Sequence, residues 1–186
     1  NSLQLTRNSG NKIYDRFSIT LAHQFFEESR HDRDYRDVML NNRTEKVNVF
    51  SANADFEKRL DEKQKLYYGA EIQLNNVSSA GNIENIITGA ESIAPSRYPD
   101  GSTYNGFAIY SSYLNKISDK LTFQGGLRYN LVLLNATFDT TFYPFPFTST
   151  QLNNGAVTGS AGLSYRPAED WLLKFNLSSG IRSPNI

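Results

Sequence analysis

The chain has 186 residues with 19 basic and 19 acidic side chains, so its formal net charge is zero. That balance gives no electrostatic case for nucleic acid or for an anionic surface. There is no cysteine, which excludes disulfides and thiolate metal sites, and no apolar run approaches the ~18 residues of a transmembrane helix. The start, from Asn1 to Leu5, has no basic region followed by an apolar one, so it does not read as a signal peptide and the expectation is a mature fragment. Phe (12) and Tyr (11) outnumber the single Trp and the single Met, and this aromatic profile suits strands.

Period-2 alternation predicts seven long strands. In the first, over 13–30, Phe17, Ile19, Leu21 and Phe25 oppose Arg16, Ser18, Thr20 and Gln24. In the second, Phe50, Ala52, Ala54 and Phe56 oppose Ser51, Asn53, Asp55 and Glu57. The third sets Leu66, Tyr68, Ala70, Ile72 and Leu74 against Glu71, Gln73 and Asn75. The fourth, over 104–117, has two competing faces, Phe107, Ile109 and Tyr113 against Ala108, Tyr110 and Leu114. The fifth is the clearest: Leu121, Phe123, Gly125, Leu127, Tyr129, Leu131 and Leu133 oppose Thr122, Gln124, Arg128 and Asn130. The sixth carries Val157, Ala161, Leu163 and Tyr165 on one face, and the seventh carries Trp171, Leu173, Phe175 and Leu177.

The connections alternate in length. Short ones fall at 61–64, 118–120 and 166–170, and long ones near 30–44, 81–102 and 139–154. The second long loop carries Tyr98-Pro99-Asp100-Gly101, a turn sequence in which Pro presets φ and Gly permits a positive one. Alternating tight turns and extended loops are the pattern of a membrane β-barrel. Strand length points the same way. A segment such as 121–137, tilted by ~45°, rises roughly 40 Å, well above the ~25 Å apolar band of such barrels, whereas soluble strands usually run to about 5–6 residues. A soluble two-sheet sandwich, packing the same apolar face against a second layer, is the alternative.

Three segments carry a family resemblance. Gly180-Ile181-Arg182-Ser183-Pro184 resembles the Gly-Phe-Arg-Ala-Pro motif of TonB-dependent receptors. Leu121 to Asn130 resembles their Leu-x-Leu-x-x-Gly-Leu-Arg-Tyr-Asp strand, and Tyr68-Gly69-Ala70-Glu71 their Gly-x-Glu strand. The resemblance covers roughly residues 13–186 and implies a piece of an outer-membrane receptor of Gram-negative bacteria. Such a receptor imports a scarce nutrient through a plugged barrel, using energy delivered by TonB. A narrower resemblance, through 95–102 and Arg182-Ser183-Pro184-Asn185-Ile186, is to haem or haemoglobin receptors of Bacteroidetes-type bacteria. It implies haem first and a ferric siderophore next as the transported cargo, with no intrinsic cofactor.

The fold class expected is therefore all-β: an antiparallel transmembrane β-barrel segment of about seven long strands, incomplete. Residues 1–186 are read as a single partial barrel domain without a plug domain or a C-terminal closing strand, because seven strands cannot close a barrel of about 22. The partners implied are outer-membrane lipid, iron-bearing cargo and TonB acting through a plug.

Candidate ligand residues follow from chemistry. His31 and Tyr35, in the first long loop, are candidate axial ligands because imidazole and phenolate both bind haem iron; the bland reading is a solvated mixed-charge loop. Glu27, Glu28, Asp32, Asp34 and Asp37 offer oxygen ligands, but Arg30, Arg33 and Arg36 compete for them as ion pairs. By parity Arg182 points to the polar face as a wall contact for cargo, and Pro184 ends the ladder. His23 falls on the apolar face, which places it near a bilayer interface. The aromatic run Phe142-Tyr143-Pro144-Phe145-Pro146-Phe147 reads either as an interface girdle or as a cargo-gripping loop. No nucleophile elbow, phosphate loop or HExxH is present, so an outer-membrane barrel enzyme lacks the constellation it needs.

Overall fold

A computed structural model of the chain describes residues 1–183, which form one antiparallel sheet of nine strands with no helix among them. In chain order the strands are β1 (Ser2–Asn8), β2 (Arg16–Asp32), β3 (Met39–Arg59), β4 (Gln64–Asn85), β5 (Glu91–Ala94), β6 (Thr103–Lys116), β7 (Leu121–Thr137), β8 (Ser149–Tyr165) and β9 (Leu173–Ser178). The ladder runs β1-β2-β3-β4-β6-β7-β8-β9, with β5 as a short extra rung on the upper part of β4. The two ends of this path do not pair, so the sheet is an open wall. Among the described residues no second sheet lies against it, which removes the sandwich alternative.

The expected seven strands are all present, and two were not foreseen. β1 offers only Leu3 and Leu5 as an apolar signal, and β5 has four residues. The expected long loop near 30–44 is a correction. β2 and β3 stay paired up to Asp32 and Asn41, and only residues 33–38 connect them. The loop near 81–102 likewise contains the end of β4 and all of β5. The 22 residues of β4 reach roughly 75 Å along the strand.

Register settles the faces. Phe17, Phe56 and Tyr68 are direct ladder partners, and so are Ala70, Ile109, Tyr129 and Val157. One face therefore carries the apolar residues of every strand, many of them open to the surroundings, such as Leu127, Val157 and Phe175. The competing faces of β6 resolve the same way: Phe107, Ile109 and Tyr113 join the apolar face, while Ala108 and Tyr110 join the polar one. A band such as Leu121 to Leu133 rises roughly 29 Å at a ~45° tilt, the height of a bilayer's apolar layer. His23 stands opposite Phe50 at its upper margin.

Beyond the band, toward the long connections, the faces exchange character. On the apolar side the row Asn48, Asn76, Thr103, Asn135 and Gln151 follows Phe50, Leu74 and Leu133. On the other side Val47, Val77 and Leu134 replace polar residues. The small core of the molecule sits there: Glu45, Asn75, Ser79, Ala94, Ser102, Leu134 and Ala136 are all buried.

The two ends differ in chemistry. At the short-turn end Tyr14, Phe17, Phe56 and Tyr68 form an aromatic cluster, with the Phe56 and Tyr68 rings stacked at 5.0 Å. Rings with a polar edge suit a membrane–water boundary. Tyr68 donates to the Ile13 carbonyl at 2.8 Å, which ties the β1–β2 turn to the wall.

Candidate functional site

Two regions gather chemistry: the polar face of the wall and the long-loop rim. On the wall, Tyr110 on β6 donates to Asp55 on β3 across the intervening β4. Arg128 on β7 donates to Glu71 on β4 at 2.9 Å and to Asn130 at 2.6 Å, and its guanidinium lies 5.5 Å from the Tyr110 ring. Arg128 and Glu71 are thus paired with each other, and Asp55 accepts from a neutral phenol. The result is a polar wall whose groups are tied to one another rather than a row of free ligands.

The rim is built by a strap, residues 95–101, that crosses the inner side of β4. The Tyr-Pro-Asp-Gly turn forms as the sequence requires, with Gly101 at φ +73. Asp100 accepts from the Ser79 amide at 2.9 Å, Ser79 Oγ accepts from the Tyr98 amide at 3.2 Å, and Ser102 donates to the Pro99 carbonyl at 2.6 Å. Gly81 is required for a different reason: a side chain there would meet the Pro95 carbonyl oxygen at 2.5 Å.

Between the strap and the β7–β8 loop lies a cleft of about 700 Å³, within the usual range for ligand pockets. Tyr98, Phe138, Phe142, Tyr143 and Phe145 supply its aromatic surface, and Arg97, Asp100 and Asp139 its charges. Phe138, Phe145 and Phe147 pack on one another at 5.2–5.9 Å, so the rings hold the loop as a unit. Asp139 caps the turn by accepting from the Thr141 amide at 2.8 Å, and hydrogen bonding to Thr141 holds its carboxyl below the usual range.

Charge pairing at the rim is uneven. Glu28 takes Arg30 at 2.8 Å and Arg97 at 3.8 Å, and the hydrogen bond from Arg30 keeps its carboxyl acidic. Its cross-strand neighbour Glu45 is buried with neither oxygen hydrogen-bonded. Among the described residues no three His, Cys, Asp or Glu side chains are grouped to hold a metal.

The sequence-derived candidates are dispersed. His31 is the second-last residue of β2 and shares a row with Asn42, Asn82 and Ile93 on the same side as the apolar band. Its Nδ1 is 2.6 Å from Asn42 Oδ1. Three strand spacings, about 14 Å, separate it from Ile93 at the cleft. Tyr35 is in the β2–β3 turn, 88% exposed, with the Arg36 guanidinium 5.1 Å from its ring and Arg36 itself at φ 67. The parity expectation for Arg182 is a correction: Arg182 is exposed on the segment that follows β9, and its neighbours Ile181 and Ser183, rather than Arg182, lie with Arg128 and Thr158 on the polar face, because the chain leaves the ladder after Ser178 and the strand alternation ends there. Pro184 lies outside the described residues.

Of the aromatic run, Phe142, Tyr143 and Phe145 line the cleft. Sequence reasoning missed Phe138 and Ile93. The available signal for Phe138 was its place at the end of β7, one step past the alternation.

Comparison with known proteins agrees with this architecture. A family model described as TonB dependent receptor-like, beta-barrel, matches residues 1–186. Among solved structures, 24 chains match. One, described as copper transporter OprC, superposes with a TM-score of 0.78 at 11% identity, covering 95% of this chain and 29% of that one. At that identity the likeness concerns the fold. No curated protein matches the sequence.

Proposed function

The chain belongs to the TonB-dependent receptor β-barrel family and resides in the outer membrane of Gram-negative bacteria, and we propose that the receptor it is part of imports haem or another iron complex. The chain spans 29% of the length of the copper transporter it resembles. Residues 1–186 are accordingly proposed as one part of a barrel domain, with the plug and its TonB contact supplied elsewhere in the receptor. The activity proposed is transport, and the partners are TonB, outer-membrane lipid and the cargo.

The observation that carries the cargo reading is the aromatic cleft at the rim. Five rings converge on one space of about 700 Å³ that Arg97, Asp100 and Asp139 also line, a surface suited to a flat conjugated ligand with one acidic edge set against Arg97. Phenolate is an axial ligand for haem iron, and Tyr98 and Tyr143 both line the cleft. His31 and Tyr35 are proposed as outer ligands, and Arg182 and Pro184 as wall contacts on the way inward.

The test is haem titration of the full-length receptor in detergent, read at the Soret band. A saturable shift that weakens in Tyr143→Phe places the iron in the cleft, and one that weakens in His31→Ala or Tyr35→Ala places it at the β2–β3 turn. Absence of a saturable shift, with ferric siderophore binding measured by intrinsic fluorescence, moves the cargo to a siderophore. Absence of both refutes the iron reading and favours a metal ion or organic nutrient.

A further inference from the structure

We infer that Glu45 is a positioning residue for the cleft: it is a second seat for the Arg97 guanidinium, and the charge offered to the cleft depends on whether Arg97 sits on Glu28 or on Glu45. The exchange of seats rests on the geometry of the rim. Its effect on binding rests on the reading of the cleft as a site for a ligand with an acidic edge.

Glu28, Glu45 and Ser79 are consecutive ladder partners across β2, β3 and β4, so they stand in one row on the inner side. The strap meets this row at its β4 end, where the Tyr98 amide donates to Ser79 Oγ at 3.2 Å. The Arg97 guanidinium meets it at its β2 end, 3.8 Å from Glu28 Oε1. The Arg97 side chain therefore spans the Glu45 position. Glu45 is 5% exposed, and neither of its carboxylate oxygens has a hydrogen-bond partner.

The charges are unevenly shared. Glu28 Oε1 already accepts from Nε and Nη2 of Arg30 at 2.9 and 2.8 Å, and Arg97 lies beyond hydrogen-bond reach of it. Arg43, the next inner-facing residue of β3, turns to Asp32 at 3.8 Å. Two guanidiniums thus share one exposed carboxylate, while the buried carboxylate beside it has none. A carboxylate without a partner is costlier buried than exposed, so the pairing improves if one guanidinium moves to Glu45. Arg97 is the one free to do so, being exposed and 3.8 Å from its partner. Withdrawal by one strand spacing, ~4.8 Å, takes it from Glu28 to Glu45.

That step changes the cleft. Arg97 and Tyr98 both line it, and the guanidinium is 5.1 Å from the Tyr98 ring. Glu45 is one strand nearer to the cleft than Glu28. On Glu28 the cation ties the strap to β2. On Glu45 it stands closer to the rings, where it can meet a carboxylate of the ligand.

The experiment uses the full-length receptor in detergent and has two readouts. The first needs no ligand. Trypsin cleavage of the Arg97–Tyr98 bond, followed by mass spectrometry, requires the guanidinium to leave its seat. Glu28→Gln and Glu45→Gln each leave one seat and should change the rate by less than about twofold, whereas the double variant should be cleaved several-fold faster than either. The second readout compares haem with its dimethyl ester, whose carboxylates are blocked. Glu28→Gln, which leaves the Glu45 seat, should tighten haem several-fold relative to the ester, and Glu45→Gln should weaken it. A merely structural role for Glu45 would move both ligands together. The proposal is overturned if the double variant is cleaved no faster than Glu28→Gln, because Glu45 then never holds Arg97, or if the two single variants shift the haem-to-ester ratio in the same direction. If neither porphyrin binds, the haem reading fails and the cleavage rates alone decide.

Discussion

Tyr110 reaches Asp55 across an intervening strand by lying over Gly69. Gly69 is the direct ladder partner of both residues. A Cβ at position 69 would come within 2.5 Å of the Tyr110 hydroxyl and 2.5 Å of the Ala54 carbonyl oxygen. The glycine thus provides the groove in which the ring crosses β4. Gly69→Ala should destabilise the barrel by about 1–3 kcal/mol through overpacking, and Tyr110→Phe by about 1 kcal/mol through the lost hydrogen bond. The double variant should cost less than the sum, because both changes break one contact. Thermal unfolding of the full-length receptor in detergent measures all three, and strict additivity would show that the ring does not depend on the groove.

Arg128 holds Glu71 and Asn130 at once. A lysine keeps the charge but cannot make both contacts from one planar group. Arg128→Lys should therefore lose about 1 kcal/mol of stability, and Arg128→Met more, because Glu71 is then left unpaired on the wall. Adding Glu71→Gln to Arg128→Met should restore part of that loss. No rescue in the double variant would mean that Glu71 is solvated without help from Arg128.

The same wall shows why much of the fold was legible from sequence and part of it was not. β7 was readable over 121–137 because its outward side is apolar along most of its length and faces lipid. The upper half of β3, up to Val49, was not, and the long connection expected near 30–44 takes in its first residues, Met39 to Thr44. There the outward residues are Asn42, Thr44, Lys46 and Asn48, and the apolar ones, Val47 and Val49, have moved to the inner side. Alternation persists but its sign reverses where the environment changes from lipid to water. The aromatic run after β7 and the Tyr98-Pro99-Asp100-Gly101 turn were each visible. Their meeting was not, since it depends on β6 starting at Thr103 and leaving a gap between β4 and the β7–β8 loop.

Asp15 gives the short-turn end a pH dependence with a definite sign. Its carboxylate accepts from the Arg59 amide at 2.7 Å and from Lys58 Nζ at 3.0 Å. The backbone hydrogen bond, followed by the one from Lys58, holds its pKa below the ordinary value of 3.8. A lowered folded-state pKa contributes stability above the unfolded value and loses it as pH falls through the folded one. The receptor should therefore lose thermal stability below about pH 4, the ordinary aspartate range, and Asp15→Asn should be less stable at neutral pH with a shallower acid limb. An unchanged acid limb in the Asp15→Asn variant would assign that limb to other carboxylates.

The strap is expected to depend on the Asp100–Ser79 hydrogen bond more than on its contacts with loops. Ser79 is 4% exposed, and its amide has Asp100 as a partner at 2.9 Å. Asp100→Ala leaves a buried donor without a partner, at a cost of about 1–3 kcal/mol. That cost is local, because β4 remains paired to β3 along this stretch. Global melting should hence move little while the strap opens. Trypsin reports the opening directly, since the Arg97–Tyr98 bond lies within the strap and Arg97 is otherwise tied to Glu28 at 3.8 Å. Cleavage after Arg97 should be several-fold faster in Asp100→Ala than in the native receptor, as an opening free energy lowered by about 1 kcal/mol implies. Asp100→Asn, which keeps an acceptor for the Ser79 amide, should fall between the two. Equal cleavage rates in all three proteins would mean that the rings of the β7–β8 loop, rather than Asp100, hold the strap closed. In that case Phe145→Ala would be the variant that opens it.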